Sequence, residues 1–237
     1  MTDIKDSVAF VTGGSRGIGK ALVQALYDRG AAKVYATARD PRRITHPDAV
    51  PLALETTDPR SVAAAADQAR DTTILINNAG GLLGASFLDS SVEDVRREFE
   101  VNFYGPLLTA RAFAPVIERN GGGHILTMHS VLSWFTLPGS DAYSASKAAL
   151  WAQTNALRLA LRPRGIIVTG LHVGYVDTDM TAGIDAPKVS PDSVAVQALD
   201  GIQADAPEVL ADDITRQVKA GLSADLATLY PELAARG

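Results

Sequence analysis

A chain of 237 residues, 46% of them hydrophobic, can bury a large core, and an α/β chain of this length commonly forms one domain, here expected over 1–237. A net charge of −5 excludes nucleic acid as the main partner, because phosphate backbones are met by basic patches. The absence of cysteine excludes disulfides, thiolate zinc sites and a cysteine nucleophile. His46, His124, His129 and His172 lack paired ligand spacing and read as surface or strand-end residues, so no metal is expected. No run approaches the roughly eighteen apolar residues of a membrane span, and Met1–Asp6 carries no apolar leader. The expectation is a soluble, cytoplasmic protein without a membrane partner.

The first element is an apolar strand over Ser7–Thr12 that runs into Gly13-Gly14-Ser15-Arg16-Gly17-Ile18-Gly19 and then a helix over Ile18–Arg29. Glycines let the backbone turn tightly and approach a phosphate, whose charge the free amides at a helix start attract. A dinucleotide suits this loop, although its Gly-x-x-x-Gly-x-Gly spacing differs from the commoner Gly-x-Gly-x-x-Gly. Gly14–Lys20 also matches the first seven positions of a triphosphate-binding P-loop. Ala21 then stands where that motif needs a hydroxyl for Mg²⁺.

A second strand over Lys33–Ala38 leads to Arg39 and Asp40, and a third over Val50–Leu54 leads to Glu55 and Thr56. After a helix over Pro59–Arg70 comes a strand over Thr73–Asn77 and the turn Asn77-Asn78-Ala79-Gly80. The long helix predicted over Val92–Glu118 should bend at Gly105-Pro106, where proline has no N–H to give. A strand over His124–Met128 precedes Ser130, and a helix over Asp141–Leu161 carries Tyr143 and Lys147. Strands over Ile166–Leu171 and Glu208–Leu210 complete the pattern. Near-continuous apolar strands between helices imply a doubly wound parallel sheet of Rossmann type with helices on both faces. In that architecture ligands bind beyond the carboxyl ends of the strands, where all the motifs above fall.

Tyr143 and Lys147 are four apart, hence on one helix face. An ammonium beside a phenol lowers a pKa that is ordinarily about 10, preparing the tyrosine for proton exchange. Alone, such a pair is commonplace. Together with Thr12–Gly19, Asn77–Gly80, Asn102 and Ser130, thirteen positions before Tyr143, it resembles the short-chain dehydrogenase/reductase family across most of the chain.

The resemblance implies a hydride-transferring oxidoreductase acting on a small carbonyl or alcohol substrate, with Asn102, Ser130, Tyr143 and Lys147 catalytic. Tyr143 would be the general acid of reduction, Ser130 would stabilise charge on the substrate oxygen, and Lys147 would also hold the nicotinamide ribose. Asn102 would order water leading to Lys147, a role compatible with its plain reading as a buried, hydrogen-bonded amide. Ser133 is the competing local hydroxyl. Cofactor contacts are implied at Gly13, Ser15, Arg16, Gly17, Ile18, Gly19, Arg39, Glu55, Thr56, Asn78, Ala79, Gly80, Tyr143, Lys147, Gly174, Val176 and Thr178.

Enzymes that use NAD place an acid at the end of the second strand to meet the ribose 2′-hydroxyl. Here Ala38 occupies that position, and Arg39 and Arg16 offer guanidinium groups to a 2′-phosphate, so NADP(H) is preferred over NAD(H). Asp40 is the counter-indication, and an NAD-dependent alcohol dehydrogenase is the rival within the enzyme class. A non-catalytic NADP(H)-binding sensor or scaffold is the rival outside it. Val173 replaces the family's proline before Gly174 and is expected to loosen that turn. The resemblance further implies a lid over 179–207 and a homo-oligomer, most often a tetramer, built on the two long helices. Trp134, Phe135, Leu137 and Leu83 are candidates for an apolar pocket wall.

Overall fold

The computed structural model describes residues 2–231. Seven strands form one parallel sheet: β1 (Val8–Val11), β2 (Lys33–Ala38), β3 (Val50–Ala53), β4 (Ile74–Asn77), β5 (Gly123–Met128), β6 (Ile166–His172) and β7 (Glu208–Leu210). Their order is β3-β2-β1-β4-β5-β6-β7. The winding therefore reverses between β1 and β4, and the crevice beyond their carboxyl ends is where ligands bind in open α/β sheets. The glycine loop leaves β1 at that point, with Val11 paired to Ala36 on one side and Ile76 on the other.

Alternation along each strand divides the apolar residues between two cores. Ala9, Val11, Ile74 and Ile76 face α1 (Gly17–Asp28) and α6 (Pro191–Gln203), where Leu22, Leu26, Val194 and Leu199 are fully buried. Phe10, Leu75 and Ile125 face the other side, against Val62 of α2 (Pro59–Gln68) and Phe113 and Ile117 of α4 (Gly105–Arg119). The rings of Phe10 and Phe113 lie 4.3 Å apart. Both faces are covered, which is why the strands read as continuous apolar runs.

The long helix expected over Val92–Glu118 is three pieces. Ser91 caps α3 (Val92–Phe99) by accepting from the Asp94 N–H at 3.1 Å, a wide π-helical turn follows over Glu100–Tyr104, and α4 then begins. Pro106 cannot donate to the carbonyl of Asn102, so the predicted bend is taken up by this extra-wide turn, a geometry common at functional sites. The remaining helices are α5 (Asp141–Leu161), α7 (Asp213–Gly221) and the short α8 (Leu226–Leu229).

The segment 179–207, expected as a lid, contains a helix. Ser190 caps α6 through the Ser193 N–H at 3.1 Å, and Pro191 sits in its first turn. This helix packs its apolar side into the first core. No helix among the described residues is long and apolar enough to cross a membrane.

Candidate active site

The loop Gly13–Gly19 is shaped by what it cannot contain. Gly13 (φ +69°) and Gly17 (φ +51°) take the left-handed conformation that side chains disfavour. At Gly19 a Cβ would lie 2.0 Å from the Gly13 carbonyl oxygen and 2.6 Å from Asn78 Nδ2. Only hydrogen fits, and α1 approaches the loop backbone closely. Because no side chain caps α1, the amides of its first turn are available to an anion. Thr12 joins β1 to β4 here: its hydroxyl accepts from the Asn78 and Ala79 N–H groups at 2.9 Å each, and its carbonyl accepts from Asn78 Nδ2 at 2.9 Å. This cradle fits a dinucleotide. Ser15 and Ile18 are half-buried along it, while Asn77 is buried and accepts from Thr109 at 2.6 Å.

At the end of β2 the charges sort themselves. Arg39 is exposed, and Asp40 is committed to the turn that follows, accepting from the Arg42 backbone at 3.1 Å and pairing with its guanidinium at 2.9 Å. Arg16 pairs with Asp179 at 2.8 Å; both are well exposed, so the pair is weak and readily exchanged. Glu55 folds back on its own turn, accepting from the Thr57 hydroxyl at 3.0 Å, and Thr56 lies against Gly105.

Ser130 follows β5, Tyr143 and Lys147 project from the first turns of α5, and the fold brings the three together. The Ser130 hydroxyl accepts from the Leu132 N–H at 3.1 Å and acts on the Tyr143 phenol, favouring its ionised form. Ser133 is a structural partner, its buried hydroxyl accepting from the Ser130 N–H at 3.4 Å. Lys147 is buried, donates to the Met128 carbonyl at 3.0 Å, and lies 5.8 Å from the centre of the Tyr143 ring.

The electrostatics correct one expectation. Burial pushes the Tyr143 phenol up to about 12, opposed by the Ser130 hydroxyl and reinforced by the charge of Glu98. Burial likewise pulls Lys147 down to about 8, with Glu98 opposing. Lys147 does not lower the phenol here, because its ammonium is aimed at a carbonyl and desolvation dominates. Part of the Tyr143 side chain stays accessible, which is how a substrate oxygen would reach it.

Asn102 sits in the π turn, almost fully buried. Its Oδ1 accepts from the Gly81 N–H at 3.0 Å, and its Nδ2 donates to the Gly81 carbonyl at 2.9 Å and to Ser146 at 3.2 Å. Gly80 is thereby held beside Lys147: a Cβ there would lie 3.6 Å from the ammonium. On the far side, the turn at Val173, which lacks the proline, is tied by hydrogen bonds. The Val173 carbonyl accepts from the Val131 N–H at 2.9 Å, and Asp212 takes the Gly174 N–H at 2.6 Å while capping α7. Val176 and Thr178 follow, with Gly17 packed against the Thr178 methyl.

Sequence reasoning passed over one residue near the site and left two others without surroundings. Glu98 is a fully buried carboxylate on α3, unreadable in sequence because acids on helices are ordinarily solvated. His129 and His172 are buried strand-end histidines that stack at 4.6 Å, and burial pulls His172 down to about 3. Trp134, half-buried, stacks on His172 at 4.1 Å under Lys219. Leu83 and Leu137 do reach the surface. Among the described residues no cluster of acids and histidines could hold a metal.

Comparison with known proteins agrees with this geometry. The model of the short chain dehydrogenase family matches residues 7–188. An uncharacterised oxidoreductase of Staphylococcus aureus is 32% identical over 213 residues, covering 84% of this chain and 92% of that protein. The NADPH-dependent 1-acyldihydroxyacetone phosphate reductase of Schizosaccharomyces pombe is 37% identical over 182 residues, 73% of this chain and 61% of that protein. Among solved structures, a short chain dehydrogenase from Burkholderia cenocepacia in complex with NADP superposes with a TM-score of 0.92 at 36% identity, covering 98% of both chains. Sheet order, glycine cradle and these matches together place the chain in the short-chain dehydrogenase/reductase family, as an oxidoreductase.

Proposed function

We propose that the protein is an NADPH-dependent carbonyl reductase, reversible as a secondary-alcohol dehydrogenase, with Tyr143 as its general acid and base. The observation that carries this reading is the buried Lys147 ammonium, held on the Met128 carbonyl and 5.8 Å from the centre of the half-buried Tyr143 ring, in a chain that also carries the glycine cradle. NADPH, when bound, supplies the hydride. Tyr143 donates its proton to the substrate oxygen in reduction and takes it back in oxidation, while Ser130 donates a hydrogen bond to the same oxygen. Lys147, anchored on the Met128 carbonyl, keeps a cation beside that oxygen and the ribose. Purified protein tested with NADPH against a panel of ketones and aldehydes decides the matter. NADPH binding without turnover on any of them would leave a non-catalytic cofactor binder.

Selectivity for NADP(H) rests on Ala38, on exposed Arg39, and on Asp40 being engaged by Arg42. The NADP in the related Burkholderia structure and the NADPH dependence named for the yeast reductase agree with it. Loss of one charge-assisted hydrogen bond in Arg39→Ala should weaken NADPH by roughly tenfold to a hundredfold and leave NADH nearly unchanged. Ala38→Asp should reverse the preference, adding repulsion to the phosphate and an acceptor for the hydroxyl. Dissociation constants for both cofactors check this, and equal losses in Arg39→Ala would refute it.

Residues 179–190 are proposed as the movable cover of the substrate pocket. We also propose a homotetramer assembled on α4 and α5. Ala148, Ala152 and Ala156 are exposed on one face of α5 and continue into Leu159, which is 78% exposed. Small residues at this spacing let a second helix approach closely. Light scattering at micromolar concentration should give four times the chain mass, and Ala152→Arg should lower it; a wild-type monomer would exclude the assembly.

A further inference from the structure

We propose that Glu98 is a positioning residue for the Tyr143–Lys147 pair, acting through the 83–85 loop on one side and through Asn102 and Ser146 on the other. The inference rests on the preceding reading that this pair moves the substrate proton. Glu98 lies on α3 with no accessible surface, an arrangement that a carboxylate tolerates only when its oxygens are satisfied. They are: both accept from the Leu83 N–H at 3.1 Å, one of them also accepts from Asn102 Nδ2 at 3.3 Å, and the neighbouring Gly84 and Ala85 amides favour the ionised form. Gly84 (φ +75°) turns the chain so that successive amides converge on it, forming a small anion nest whose anion is a side chain of the same protein.

Two routes lead from this carboxylate to the reacting pair. In the first, the clamped loop presents the Ala85 carbonyl to the Ala142 N–H at 3.2 Å, one residue before Tyr143, and the Phe87 N–H to Asp141 at 3.0 Å. The start of α5 is thus held by the loop that Glu98 holds. In the second, Asn102 Nδ2 donates to Glu98 at 3.3 Å and to Ser146 at 3.2 Å, and the Ser146 hydroxyl donates to the Tyr143 carbonyl at 2.7 Å. Ser146 directly precedes Lys147. A single buried anion therefore braces the backbone at both members of the pair.

Its charge acts on the same two groups. The titratable groups facing Glu98 are Tyr143 and Lys147 of α5; its other partners are loop amides and Asn102. Burial raises the Glu98 carboxyl, while the converging amides favour its ionised form. Once ionised, it favours the protonated state of both Tyr143 and Lys147. Removing the charge should let both lose their protons at lower pH.

Glu98→Gln keeps the shape but replaces one acceptor by an NH₂ that faces backbone donors. We expect kcat for alcohol oxidation to fall by about tenfold, with the midpoint of its pH profile moved down by about one unit and NADPH affinity little changed. Amide hydrogen exchange at Leu83, Ala85 and Ala142 should quicken. Glu98→Asp keeps the charge on a shorter arm, so the pH midpoint should stay while KM rises. A Glu98→Gln enzyme with wild-type kcat and pH midpoint overturns the proposal. If Glu98→Gln does not fold, Glu98→Asp decides, and unchanged KM and exchange at Leu83 overturn it. If the wild-type protein turns over no carbonyl, the functional reading fails separately, and the exchange measurement alone decides whether Glu98 braces the loop and the start of α5.

Discussion

Replacing Tyr143 by phenylalanine is expected to abolish turnover while leaving NADPH affinity nearly intact. The phenol is the group that would pass a proton to a substrate oxygen, and a positioned acid–base group is worth about 10²–10⁴ in rate. The ring remains in Tyr143→Phe, so packing at the start of α5 should survive. Burial holds the wild-type phenol protonated through neutral pH, at about 12. Reduction needs that proton and should vary little across the neutral range. Oxidation needs the deprotonated form and should rise about tenfold per pH unit below the operative pKa. Steady-state rates in both directions against pH, with Tyr143→Phe beside the wild type, provide the check. Wild-type rates in the variant would remove Tyr143 from the mechanism.

Gly19→Ala is expected to damage cofactor binding and stability together. In an ordinary helix, alanine in place of glycine stabilises by about 0.5–1 kcal/mol. Here the added carbon would stand 2.0 Å from the Gly13 oxygen, so either the helix start or the loop must move. Overpacking of this kind costs about 1–3 kcal/mol, which lowers Tm by about 2–4 °C per kcal/mol in a chain of this size. Displacing amides from the pyrophosphate position should cost more, with NADPH binding weakened by about a hundredfold, or ~2.7 kcal/mol. Gly221→Ala is the control, because a Cβ there meets only ordinary contacts near 3.8 Å at the end of α7. Cofactor titration and thermal melts of both variants test the claim. Wild-type affinity in Gly19→Ala would mean that the loop does not cradle the cofactor as argued.

The sequence by itself determined the sheet and the cradle. Alternating apolar residues such as Ala9, Phe10 and Val11 divide between two cores whatever the details of packing, and glycines at 13, 17 and 19 announce a loop that side chains would block. The Tyr143 and Lys147 spacing was legible for the same reason: helical periodicity is local. Ser190 and Pro191 signalled the start of α6 equally locally, and the reading of 179–207 as one lid overlooked that signal. What only the tertiary structure decided depends on residues far apart in the chain. The burial that sets the charge states of Tyr143 and Lys147, the clamp of Glu98 on Leu83, and the grip of Asp212 on Gly174 are of this kind. Desolvation and long-range hydrogen bonds arise from which elements pack together, and a short sequence window carries neither.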